Sequence, residues 1–270
     1  MKIKKIATLA LAAGLSLSLV ACGSNKKESA KDDKKIVIGA SANPHADILN
    51  KAVKPLLEKD GYKLEVKVFN DYILPNKALD EGSLDANFFQ HEPYLNEYNT
   101  KNKTEIKSVA KVHLEPMGVY SQKVKSISGV KDKAVIAVPN DPTNETRALK
   151  ILEKEGLIKL ADKELLNKND IKENKKNIEI KELAAEQLPT VLKDVDLAVI
   201  NSNYALEAKL NPQKDAIATE SKDSPYANII AVSSKNKDSE KTKALIKAIQ
   251  SPEVKTFIND TYKGAIIPSF

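Results

Sequence analysis

Apolar residues recur with two alternating periods along this chain. Ile36-Val37-Ile38 form a β-branched run stopped by Gly39, which predicts a buried strand. Over residues 44–60, Ile48, Leu49, Val53, Leu56 and Leu57 fall on one side of a helix that ends at Gly61, with a kink or a reset of the helix start expected at Pro55. Leu64, Val66 and Val68 then alternate with Lys63, Glu65 and Lys67, the pattern of a half-buried strand. Strand, helix and strand in succession open an α/β domain. The pattern restarts with a strand over 134–138, a turn over 139–144 and a helix over 145–155 closed by Gly156. A polar stretch at 167–177 reads as a surface loop. It is followed by a strand at 178–183, a helix at 185–194 broken by Pro189, and a strand at 196–200. Residues 109–120 alternate irregularly around Pro116-Met117-Gly118 and read as a connection into the second unit. The strand predicted at 228–233 can return to the first unit, and helices over 240–250 and 252–262 finish the chain. Periodicity by itself supports the class α/β and nothing finer.

The amino terminus follows a different rule. Lys2, Lys4 and Lys5 precede an apolar run over 6–20, fifteen residues that are too short for a comfortable membrane span. The run ends Leu19-Val20-Ala21-Cys22. Residues 1–21 therefore read as a signal peptide, and small residues before the only cysteine resemble a bacterial lipobox, with Cys22 as the lipidated residue. An ordinary signal peptide with an incidental cysteine is the weaker reading, because Cys22 stands where the lipobox needs it. Residues 22–35 carry almost no apolar side chain, so they read as a tether, about 20 Å in root-mean-square span. The implied location is the extracytoplasmic face of a cell membrane.

Composition narrows the chemistry. The 270 residues are 41% hydrophobic and 30% charged, enough for one large domain or for two lobes with a core each. Loss of Lys2, Lys4 and Lys5 with the leader would take the net charge from +6 to +3. The lysines are interspersed with acids and no basic stripe occurs, which argues against nucleic acid as a partner. One cysteine excludes an internal disulfide. The nine glycines form no GxGxxG, Walker or GxSxG pattern. His91-Glu92 opens like a zinc-protease motif, but Leu95 stands at the second histidine position. His45, His91 and His113, with Glu115 or Asp141, remain a minority metal reading (zinc or manganese), and the expected metal set is none. No carboxylate pair is singled out, so the chain reads as a non-enzyme without cofactors.

Residues 71–98 concentrate the informative chemistry. Tyr72, Phe88, Phe89, Tyr94 and Tyr98 lie there, five of the thirteen aromatics, among Pro75, Gly82, Gln90, His91 and Pro93. Rings with polar tips at turns suit a largely apolar pocket with a few placed polar groups. Phe88, beside Phe89 on a strand, should face the core instead. The pattern DYxxPNxALxxGxLDANxFQHxPYL resembles the signature of the NlpA/MetQ family of methionine-binding lipoproteins, which serve ABC importers. PHADIL, PNDPTNETRAL (139–149), DLAVINSNYA (196–205) and SPYANII (224–230) extend the resemblance over nearly the whole chain beyond the leader. It implies a two-lobed, periplasmic-binding-protein-like fold of type II with the ligand cleft between lobes, lobe I from 36–117 and 230–270 and lobe II from 118–229. It also implies a monomer that binds methionine or a related small ligand, partnered by an ABC permease and its ATPase and held to the membrane by its lipid.

The residues fit that implication. Arg147 is the only arginine among 43 basic residues, and its planar fork can hold a carboxylate with two bonds. Asn144 can cap the helix or meet the ligand. Asn201 ends one strand and Asn228 starts another, positions that face the cleft of an open α/β sheet, where amides can both donate and accept. Asn203 reads as a turn former, and Glu115 as an ammonium partner or hinge surface. Tyr72, Phe89, His91 and Tyr94 would enclose the side chain. A short methionine-containing peptide remains an alternative ligand, and a metal-binding importer component or a surface adhesin an alternative class.

Overall fold

The computed structural model describes residues 34–270. The predicted signal peptide, Cys22 and the tether up to residue 33 lie outside the described residues. The described part starts with β1 (Lys35–Ser41) and a helical stretch α1 (42–59), entered through the extended Asn43, π-wound over Leu49–Val53 and α-helical over Lys54–Lys59. Pro55 marks a reset of the helix: the α-helical part begins at Lys54, after the π-wound turn. It sits in the first turn of the α-helical part, where its missing N–H costs nothing. β2 (Lys63–Phe69), α2 (Leu74–Asp80), β3 (Ala86–His91) and α3 (Glu92–Asn102) follow, with β2 and β3 parallel to β1 on either side.

Residues 106–114 depart from the expected connection. They form a nine-residue strand, β4 (Ile106–Leu114). Its pairing slips register twice, and each slip interrupts the alternation by which a strand is recognised. The crossing to the second sheet is therefore only Glu115-Pro116-Met117. At its end Gly118 has no room for a side chain, since a Cβ would lie 2.7 Å from the Tyr120 ring.

The second sheet begins with β5 (Gly118–Tyr120) and β6 (Val135–Pro139), then α4 (Pro142–Lys154). β7 (Lys159–Leu160) and β8 (Ile171–Glu173) pair as a small ribbon, so the polar stretch read as a loop is partly strand. β9 (Glu179–Leu183), the short α5 (Leu188–Val191), β10 (Leu197–Ile200), α6 (Ser202–Glu207) and β11 (Ala218–Thr219) complete this part. Residues 220–226 cross back to β12 (Ala227–Ser233), and α7 (Glu240–Ile249), α8 (Pro252–Tyr262) and β13 (Ile267–Pro268) end the chain.

Two mixed sheets result, one per lobe. The first has the order β13-β4-β12-β3-β1-β2 and the second β11-β5-β10-β6-β9. β12 runs antiparallel between β3 and β4, so a late segment of the chain supplies an interior strand of the early sheet. Ile36, Ile38, Phe88, Val112 and Ile230 pack with Ile48, Leu49 and Leu245 in one core. Ile136, Val138, Leu149, Leu152, Leu197 and Val199 form the core of the other lobe. Each such side chain, fully buried, stabilises by about 1.5–3 kcal/mol. Phe88 faces this core, fully buried, while its neighbour Phe89 faces the opposite way.

Candidate ligand-binding site

The carboxyl ends of β3 and β10, the start of β12 and the first turns of α3 and α4 meet where the two sheets face each other. They close around a pocket of only about 20 Å³, room for about one water, so the lobes must part to admit a ligand. All eight residues singled out from the sequence line it: Tyr72, Phe89, His91, Tyr94, Asn144, Arg147, Asn201 and Asn228. Gln90, Glu115, Ser202 and Asn203 line it as well.

One end is aromatic. The rings of Tyr72, Phe89 and Tyr94 form a triangle with centroid separations of 5.9–6.0 Å. The phenol of Tyr94 donates to the Tyr72 carbonyl at 2.8 Å, and that of Tyr72 donates to Asn203 Oδ1 at 2.6 Å, across to the other lobe. Tyr204, part of the 196–205 motif but given no role from sequence, lies tilted against Tyr72 with ring centres 5.1 Å apart. Asn203 is thus a wall of the site rather than a turn former, and it is 2% exposed. Its Nδ2 and the Oδ1 of Asn201 are buried with no protein partner, one donor and one acceptor at the pocket.

The other end is polar and its directions can be assigned. Asp141, not Asn144, caps α4: its Oδ1 accepts from the Asn144 backbone N–H at 3.0 Å. Asp141 also accepts both bonds from Asn144 Nδ2, which turns Asn144 Oδ1 toward the pocket. Three donors converge on that oxygen: Asn201 Nδ2 at 2.9 Å, Arg147 Nη1 at 3.1 Å and His91 Nε2 at 3.2 Å. His91 caps α3, where its Nδ1 accepts from the Tyr94 N–H at 3.1 Å. The ring proton therefore sits on Nε2. Burial, aided by Arg147, holds the His91 pKa down at about 3, so the ring is a neutral donor.

Arg147 is 4% exposed and its fork is partly filled. Nε and Nη2 donate to Glu220 at 3.0 and 2.6 Å, and Nη2 also donates to the Glu115 carbonyl at 3.0 Å. The two-bond edge expected for a ligand carboxylate is thus held by a side chain 73 residues away. Nη1 is the end that faces the pocket's polar cluster.

Of the residues considered for a metal, His45, His113 and Glu115 come together, fully buried. His91 and Asp141 lie elsewhere in the site. His113 Nε2 lies 2.6 Å and His45 Nε2 3.3 Å from Glu115 Oε1, and His45 Nε2 lies 3.0 Å from Asn228 Oδ1. Both Nδ1 atoms lack a partner. A metal on the Nε2 atoms would force the protons onto these orphaned, buried positions, where metal-bound histidines need an acceptor. The donor set fits a hydrogen-bonded cluster better than a metal centre. With Nε2–H donating to Asn228 Oδ1, Asn228 keeps its N–H2 end to offer. Burial raises the Glu115 pKa, against the pull of His45 and Arg147.

Burial holds the pKa of His45 at about 4 and of His113 at about 3. All three histidines thus titrate below their unfolded value of about 6.5. Below that pH the unfolded chain binds more protons, and stability falls as pH falls toward 4. Glu115, Glu145 and Glu207, all raised by burial, hold protons in the folded state and oppose this, so three carboxyls stand against three rings and the rings are read directly. Ring-nitrogen NMR should show all three imidazoles neutral at pH 5.5. A charged ring at that pH would refute the assignment.

With the site described, its relatives can be stated. The family model described as NlpA lipoprotein matches residues 36–270. The chain is 47% identical over 259 residues to the methionine-binding lipoprotein MetQ of Bacillus subtilis, covering 93% of each chain. It is 43% identical to the D-methionine-binding lipoprotein MetQ of Salmonella typhi, again over 93% of each. A nutrient-binding protein from Burkholderia cenocepacia, solved bound to methionine, superposes with a TM-score of 0.85 at 49% identity, covering 87% of this chain and 100% of that one. A two-lobed α/β protein whose sequence matches the family model from its first strand to its last residue, this chain belongs to the NlpA lipoprotein family.

Proposed function

We propose that the protein captures free methionine between its lobes and delivers it to an ABC permease and its ATPase. The observation that carries this reading is the two-ended pocket: a triangle of three rings at one end and converging, directionally fixed polar groups at the other. The rings take the thioether side chain, since aromatic edges attract sulfur by about 0.3–1.5 kcal/mol. Arg147 Nη1 and Asn201 Nδ2, each with a second N–H beyond the one given to Asn144 Oδ1, serve the carboxylate, with Asn144 and His91 holding them in place. The buried acceptor Oδ1 of Asn201 and the Glu115 carboxylate serve the ammonium. Asn203 Nδ2 and the N–H2 end of Asn228 complete the polar shell. The relative solved with methionine and the MetQ relatives support this assignment.

Lobe I would comprise 36–117 with 230–270 and lobe II 118–229, joined by the two crossings. Ligand-stripped protein should bind methionine in titration calorimetry. It should become more compact in small-angle scattering, and its melting temperature should rise with ligand by mass action. Absence of both binding and compaction, with tight binding of a methionine dipeptide or a divalent metal instead, would overturn the reading.

Anchoring belongs to the same proposal. Cys22 would carry the lipid and hold the monomer on the extracytoplasmic face of the cell membrane, bacterial lipoproteins carrying more than one acyl chain because one anchors only marginally. Cys22→Ser should move the protein from the membrane fraction to the soluble fraction. Unchanged membrane partitioning would rule out Cys22 as the anchor.

A further inference from the structure

Glu220 opens the return crossing between the lobes, and its carboxylate is tied on every side. It accepts from Arg147 Nε at 3.0 Å and Nη2 at 2.6 Å. It also accepts from the Met117 backbone N–H of the first crossing at 3.2 Å and from Ser224 Oγ of the return crossing at 3.1 Å. Its own N–H donates to the Met117 carbonyl at 2.9 Å. Two bonds with this geometry are the strong form of an ion pair, and the pair is desolvated, with Arg147 at 4% and Glu220 at 10% side-chain exposure. The same crossing supplies Tyr226, whose ring centre lies 4.6 Å from Arg147 Cζ. Arg147 is thus gripped at its edge and across its face by one crossing and bonded to the Glu115 carbonyl of the other.

We propose that Glu220 is the positioning residue of the pocket's arginine. It fixes the guanidinium so that Nη1 alone faces the ligand, and it joins that guanidinium to both segments about which the lobes turn. The ligand then meets an arginine already neutralised by an internal partner. Recognition depends on the direction of one N–H edge, not on a full unpaired charge. A ligand that engages Nη1 also loads the bonds that hold the two crossings together, so occupancy and lobe geometry are read by one carboxylate.

The affinity part of this inference rests on methionine as ligand, and the structural part does not. Calorimetry with L-methionine should show Glu220→Gln binding at least tenfold more weakly than wild type. In an Arg147→Ala background the same change should alter affinity by less than twofold, because the residue acts through the arginine. A residue that merely stiffens the hinge would lose the same factor in both backgrounds, and that result would overturn the proposal, as would wild-type affinity in Glu220→Gln. Amide hydrogen exchange on ligand-free protein tests the coupling separately. Arg147→Ala should speed exchange at Met117 at least tenfold, because Glu220 loses the group that holds it under that N–H. Unchanged Met117 exchange sinks the coupling whatever the ligand. Failure of wild type to bind methionine, with Met117 exchange accelerated, sinks the ligand assignment and keeps Glu220 as the arginine's anchor.

Discussion

Arg147→Ala should weaken methionine binding by at least tenfold and destabilise the protein at the same time. A hydrogen bond to a charged group contributes about 1.5–3 kcal/mol, and each 1.4 kcal/mol is about tenfold in affinity. Arg147 also gathers Asn144 Oδ1 and so sets the cluster shared with His91 and Asn201. The stability effect has a separate origin. Removing one partner of a buried ion pair costs about 3–5 kcal/mol, because the other charge is stranded. Glu220 would keep Ser224 Oγ and its 10% exposure to solvent, which puts the loss at the lower end of that range. Domains have about 5–15 kcal/mol in hand, so the variant should still fold. Calorimetry gives the first number and a denaturation midpoint the second. Wild-type affinity in a folded Arg147→Ala protein would remove this residue from the ligand.

The second large effect belongs to the rings. The polar end meets groups common to every amino acid, so selection falls to Tyr72, Phe89 and Tyr94. An apolar pocket discriminates by only about 1–3 kcal/mol per methylene. Norleucine should therefore follow methionine closely, and charged amino acids should be refused for want of a buried partner. Tyr72→Ala should cost methionine at least tenfold and narrow its lead over alanine. The change removes a ring from the triangle and also the bond to Asn203 that links the lobes. Phe89→Ala should do the same without the polar loss, at about 3–5 kcal/mol of stability. Competition titrations with methionine, norleucine and alanine decide it. A lead over alanine that survives both substitutions would place selectivity outside the cage.

Much of this could be read from the sequence, for identifiable reasons. The strands at 35–38, 134–138 and 196–200 announced themselves because buried strands are continuous β-branched runs. The lone arginine and the aromatic cluster drew attention by rarity and density. What escaped was either irregular or remote. β4 hid because its register slips break the alternation. The π-wound turn of α1 leaves no mark on a spacing of three and four. Asn203 looked like any asparagine after a strand, and only the fold reveals that Tyr72, 131 residues earlier, is its partner. Glu220 is one of many acids in the chain, and nothing local tells it from the others. Asp141 was legible as a turn residue, but its grip on the Asn144 amide depends on a helix that starts at Pro142.

The placement of β12 also bears on how the chain is made. Residues 118–219 contain every strand of the second sheet and can fold as soon as they emerge. The first sheet cannot, because an interior strand arrives only with residues 227–233, and its edge strand and two covering helices arrive later still. Until then β3 and β4 present unpaired edges to solvent, the form most open to unwanted association. Such long-range pairing is slow to form. Synthesis therefore runs opposite to assembly: the lobe made first is finished last. The pocket, whose wall includes Asn228, does not exist until nearly the whole chain is present.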